Sequence, residues 1–199
     1  MNAEQKKKAG VICFKLRKGL LQTIAVLESD VEFAVARWEQ ERASQFWRRT
    51  LLRCCCASVE GTLSLLKNVT DGSADFFGVN LSEGDLKVVN ERRTYRENGV
   101  TKTKPAFLPF RDNIKETFKV FAKAHSVQTA IKCDAPGFSD LCDTFELRNK
   151  LMHPKGVFDL EVSDKAIDAA DRGLKWFGST VENVMELCGK QVSSSKEQT

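Results

Sequence analysis

The 199-residue chain contains only two histidines, and one of them, His153, stands five residues after Arg148 and directly before Pro154. Asn149 lies between, in the stretch Phe145-Glu146-Leu147-Arg148-Asn149-Lys150-Leu151-Met152-His153-Pro154-Lys155-Gly156. An imidazole moves protons near neutral pH. A guanidinium offers planar, paired donors that match phosphate oxygens. A side-chain amide can orient either of them. Gathered at one place, the three suit a phosphodiester.

The surrounding residues are of the kind that gather them. Leu141, Phe145 and Met152, with Leu147 and Leu151 beside them, repeat at the three- and four-residue spacing of a helix. Ser139 or Asp140 is expected to cap its start, after a turn at Ala135-Pro136-Gly137. Pro154 disfavours the α conformation at the residue before it, so the helix should end on His153. Asn149 then shares a face with His153 at i, i+4, and the long Arg148 side chain reaches across from the adjacent face.

Upstream, Leu20, Ile24, Leu27, Val31, Ala34, Val35 and Trp38 predict one amphipathic helix. A second pattern runs from Phe46 to about Asn68, and the sequence leaves open whether the two are one bent helix. Thr70-Asp71-Gly72-Ser73 is expected to stop it, with residues 71–85 a loop from which Phe76 and Phe77 tuck inward. Leu86–Arg96 and Val100–Lys104 flank Asn98-Gly99, a strong hairpin signal. Residues 86–104 hold six basic side chains (Lys87, Arg92, Arg93, Arg96, Lys102, Lys104) against two acids. With Tyr95 they can track an RNA backbone, or they can be the charge that keeps an exposed hairpin from aggregating. Asp112 or Asn113 should open a helix with Ile114, Phe118, Phe121 and Ala122 inward and His125 as its C-terminal cap. Ser163-Asp164 should cap a last helix, striped by Ile167, Leu174, Phe177, Val181, Val184, Met185 and Leu187 and closed by Cys188-Gly189. The expected fold is all-α, an antiparallel bundle of four to five helices with a β-hairpin insertion near residues 86–104. Its single domain spans 20–190, between a basic arm at 1–19 and a disordered tail at 191–199.

Composition narrows the function classes. A net charge of +4 permits an acidic partner without requiring one. Seven cysteines with no paired C-x-x-C spacing suit buried structural thiols better than a zinc site. No apolar run is long enough for a membrane span or a signal peptide, so a soluble cytoplasmic protein with reduced thiols is expected. There is no phosphate-binding glycine loop, and no metal or cofactor is expected.

Arginine, a polar residue, three more and then histidine resembles the motif of the HEPN superfamily, in which four to six residues separate the arginine from the histidine. The helix around Arg49–Leu63, with Glu60 embedded, resembles the early helix of that family. The resemblance covers roughly residues 20–190. It implies a metal-independent endoribonuclease in which His153 serves as general base or acid, Arg148 steadies the phosphorane and Asn149 orients the imidazole or binds the phosphate. Glu60 either faces this site or is a solvated acid; Lys155, Arg92, Arg93 and Arg96 are the candidate RNA contacts. One chain supplies one such histidine, so the resemblance also implies a homodimer that pairs two motifs. A toxin or defence role, with an antitoxin protein as partner, belongs to the same expectation. The alternative keeps the fold without catalysis, as an RNA- or nucleotide-binding or protein-interaction module. Position 155, where one subclass carries a tyrosine, is lysine here.

Overall fold

A computed structural model describes residues 3–129 and 131–196. The fold is all-α with one two-stranded hairpin. In chain order the elements are α1 (Ala3–Gln40), α2 (Gln45–Phe77), α3 (Glu83–Asn90), β1 (Arg92–Glu97), β2 (Val100–Pro105), α4 (Phe110–Ala124), α5 (Pro136–Met152), a 3-10 turn (Val157–Leu160) and α6 (Asp164–Lys196). The chain divides into two compact units. One comprises Leu21–Thr62 and Lys132–Glu182; the other comprises Leu63–Ile131 with the start of α1 and the end of α6. No helix among the described residues is long and apolar enough to cross a membrane.

The first unit holds α5. Its core joins Val31 and Ala34 of α1, Leu51, Leu52 and Cys55 of α2, Leu151 of α5, and Val162, Ile167 and Ala170 around the start of α6. α1 and α2 are separate helices, because the chain turns over Glu41–Ser44. Arg48, itself buried, fastens that turn: its Nε donates to the Arg42 carbonyl at 2.7 Å and its Nη1 to the Val162 carbonyl at 2.9 Å, while Nη2 pairs with Asp164. The Pro136 ring opens α5 at its first turn, where a missing N–H costs nothing. Ser139 and Asp140 are therefore inside the helix, not caps, and Asp140 instead pairs with Arg172 of α6 at 2.7 Å. Gly137 and Gly173 let α5 and α6 approach closely: a Cβ on Gly137 would sit 2.6 Å from Cβ of Trp176, and one on Gly173 would sit 2.8 Å from Leu141 backbone.

The other unit differs more from expectation. α2 runs straight through Thr70–Ser73. The hydroxyls of Thr70 and Ser73 are buried and donate to the carbonyls of Leu66 and Val69, at 2.8 and 2.9 Å, so residues that favour turns in water serve the helix here. Gly78, at φ 68°, ends it. Residues 83–90 are helical, not strand: Ser82 and Asp85 form a capping box, with Ser82 N–H donating to Asp85 Oδ2 at 2.8 Å and Asp85 N–H to Ser82 Oγ at 3.2 Å. The hairpin is thus shorter than 86–104 and begins at Arg92. α4 starts at Phe110, capped by Pro109, ahead of Asp112 and Asn113. Its inward residues Ile114, Phe118, Phe121 and Ala122 are buried, and His125 is its C-cap, fully buried with Nδ1 2.8 Å from the Phe121 carbonyl.

Both chain ends are more helical than expected. The backbone of 3–19 belongs to α1, while the side chains of Lys6, Lys7, Lys8, Lys15 and Arg17 lie outside the described residues. α6 continues past Cys188-Gly189 to Lys196, so the tail expected from 191 enters the helix, and 197–199 lie outside the described residues. Cys188, four residues after Val184, takes the buried stripe, and Leu187 is exposed.

Candidate functional site at the end of α5

α5 brings Arg148 and Asn149 to its last turns and ends on His153. The capping N–H of His153 donates to the carbonyls of Asn149 and Lys150 at 3.1 and 3.2 Å, and its φ and ψ of −133° and 59° have already left the helix. Pro154 dictates this break. The imidazole is exposed and makes no side-chain hydrogen bond among the described residues. Asp159 shapes the chain beyond it by accepting from the N–H groups of Lys155 and Gly156 at 2.8 and 3.2 Å. The Lys155 side chain is exposed, with no carboxylate partner among the described residues.

Arg148 is the most constrained member. Its guanidinium forms an ion pair with Glu60 of α2, donates from Nη1 to Asn149 Oδ1 at 3.1 Å, and lies over the Phe145 ring 5.5 Å from its centroid. Beneath them is the buried Cys56. Burial pushes the Cys56 thiol up to about 12; the guanidinium of Arg148 pulls it down, and the carboxylate of Glu60 pushes it up further. Burial pushes the neighbouring Cys55 up to about 12 as well. These are inert thiols. Glu60 thus faces the site, one turn along α2 from Cys56, and is itself exposed.

Arg148, Asn149 and Glu60 come together as a hydrogen-bonded group, and His153 follows one turn later on α5. The remaining candidates, Arg92, Arg93 and Arg96, lie on β1, in the other compact unit. Sequence reasoning missed what flanks His153. Met152, Val157 and Phe158 are all exposed, Phe158 by 84%. The signal was present in the pattern, because Val157 and Phe158 follow Pro154 and Gly156 where no helical periodicity can bury them.

The chain matches no protein-family model, no curated protein and no solved structure.

Proposed function

We propose that this protein is a metal-independent endoribonuclease of HEPN type, acting as a homodimer in the cytoplasm. The observation that carries the reading is the end of α5, where Glu60 holds Arg148 beside Asn149 and His153 caps the helix with a free, exposed imidazole. In the reaction the 2′-hydroxyl oxygen attacks phosphorus and the bond to the 5′-oxygen breaks. A base takes the 2′-proton, an acid returns one to the 5′-oxygen, and the products are a 2′,3′-cyclic phosphate and a 5′-hydroxyl. Arg148 donates to the non-bridging oxygens as charge builds on the phosphorane. Glu60 is a positioning residue that aims the guanidinium.

Base and acid must be in place in one step, and one chain brings one such imidazole to this end of α5. The exposed apolar flank formed by Met152, Val157 and Phe158 supports a second copy as the source of the other, since a two-fold contact there buries apolar surface next to both motifs. A toxin or defence role, held in check by an antitoxin protein, is consistent with such an activity. The deciding experiment incubates purified protein with a mixed RNA in EDTA and examines the ends. Fragments with 2′,3′-cyclic phosphate that disappear with His153→Ala support the reading; intact RNA, or equal cutting by the variant, overturns it.

A second reading, a non-catalytic RNA-binding module, is favoured by Arg92, Arg93, Arg96 and Lys104 of the hairpin, which have no carboxylate partner among the described residues. It gains if the wild type binds RNA in a salt-sensitive way and never cuts it.

A further inference from the structure

The hairpin's register sorts its charges onto two faces. Arg93 lies opposite Lys104 and Tyr95 opposite Lys102, so these four share one face, while Arg92, Thr94 and Arg96 lie on the other. Every residue of both strands is exposed, so neither face is spent on a core. Like charges directly opposite one another destabilise a strand pair, yet Arg93 and Lys104 are so placed. Neither has a carboxylate partner among the described residues. Lys102, by contrast, pairs with Glu97 at 2.6 Å, and Lys104 rests over the Tyr95 ring at 5.3 Å. The array continues onto α3 and the connector. Lys87, Arg93 and Lys104 line a hollow of about 400 Å³ with the exposed Phe107. A cleft of about 680 Å³ between α3 and the hairpin also borders Lys87 and Arg93, but it is lined by Arg92, Thr94 and Thr103 of the opposite face and by Glu83, and it is not part of this array.

We propose that this face, built by Lys87, Arg93, Lys104, Tyr95 and Phe107, is a seat for single-stranded RNA. Three cations with no ion pair among the described residues repay their mutual repulsion when they face successive phosphates. Tyr95 and Phe107 offer aromatic surfaces to unpaired bases. A base that stacks on Tyr95 displaces Lys104 from the ring toward the phosphate beside it. An A-form duplex has no unstacked base to give these rings. The inference shares with the proposed function only that RNA is the ligand, and it adds binding residues other than Arg148 and His153.

The test uses the full chain and a fluorescein-labelled 2′-O-methyl RNA dodecamer, which cannot be cleaved, with anisotropy read over a salt series. Arg93→Glu/Lys104→Glu should lower the slope of log Kd against log salt by about two, one per phosphate contact. Tyr95→Ala should weaken binding about five- to a hundredfold and Tyr95→Phe should not. Thr101→Glu, which adds a negative charge to the exposed opposite face, should bind nearly as tightly as wild type. No binding by the wild type, an unchanged slope in the double variant, or an equal loss with Thr101→Glu overturns the proposal. So does displacement of the RNA by polyglutamate at equal charge concentration, which indicates an acidic protein as the occupant. Far-UV spectra guard against misfolding, and the fully exposed hairpin makes these changes harmless to it. The two readings separate cleanly. His153-dependent cleavage with binding that ignores Arg93 and Lys104 sinks only the hairpin seat; binding that needs them in a protein that never cuts sinks only the nuclease.

Discussion

Arg148 on α5 and Glu60 on α2 form an ion pair at the surface, directly over a buried cysteine. A carboxylate here fixes the direction of the guanidinium, and in the proposed nuclease it also occupies one side of the group assigned to the phosphate. Glu60→Gln keeps the shape and removes the charge. Cleavage should fall, by up to about a hundredfold if orientation is what Glu60 supplies, with KM unchanged or lower because a competing anion has gone. A rise in kcat would mean that Glu60 restrains the site rather than arranges it.

His153→Ala should lower the cleavage rate by about 10²–10⁴, the usual contribution of a positioned acid or base. Arg148→Ala should cost a similar factor, and Arg148→Lys should not restore it, since a point charge cannot donate two parallel bonds to one phosphate. The exposed His153 carries no packing, so its variant should keep the wild-type thermal midpoint. His125→Ala is a poor neutral control. That residue is fully buried against Phe121, and removing it should destabilise the fold by about 2–4 kcal/mol.

Phe158→Asp tests the proposed dimer. Light scattering at micromolar concentration should show the assembly of the wild type shifted to monomer, with cleavage lost in parallel and the far-UV spectrum unchanged. Retention of the dimer would remove the apolar flank of His153 from the interface.

The buried thiols give a pH signature. Cys55 and Cys56 are both pushed up to about 12 in the folded protein, whereas an unfolded chain ionises its thiols near pH 8.5. Below that pH both states are protonated and the thiols contribute no slope. Above it the unfolded state holds fewer protons, so stability falls with rising pH until about 12. Comparing urea midpoints of wild type and Cys55→Ala/Cys56→Ala between pH 7 and pH 10 isolates the effect. The difference between them should shrink as pH rises, and a constant difference would show that the thiols ionise alike in both states.

Arg48→Ala should destabilise the protein by about 1–2 kcal/mol, because it removes the donor to the Arg42 carbonyl and one of the two donors to the Val162 carbonyl, while Asp164 is exposed to water. Chemical denaturation measures it, and a change under about 0.5 kcal/mol would show that water replaces the guanidinium.

Apolar periodicity made the long helices legible. Leu20, Val31 and Ala34 are buried where the spacing put them, and so are Ile114, Phe118 and Phe121. Proline chemistry placed the end of α5 at His153. Where polar residues carried the signal, the reading depended on partners that sequence does not show. Thr70 and Ser73 look like helix breakers until a buried environment turns their hydroxyls back on the helix. The β-branched pair Val88-Val89 suggested a strand, while Ser82 and Asp85 had already set a helix cap, strengthened by Lys123 binding Asp85 from α4. The pairing of Glu60 with Arg148 depends on the packing of α2 against α5, and no local pattern encodes it.

The Gln45 side chain donates to the Val162 carbonyl at 3.1 Å and accepts from the Val162 N–H at 2.8 Å. It thereby imitates the two-way pairing of a β-ladder with a single side chain. The segment leading from His153 to α6 is not a strand, yet one of its amides is locked as a strand's would be. In deuterated water, exchange along this segment should therefore be uneven, quick beside His153 and slow at Val162. The loop that follows His153 is bolted at its far end, and the bolt is a glutamine at the start of α2.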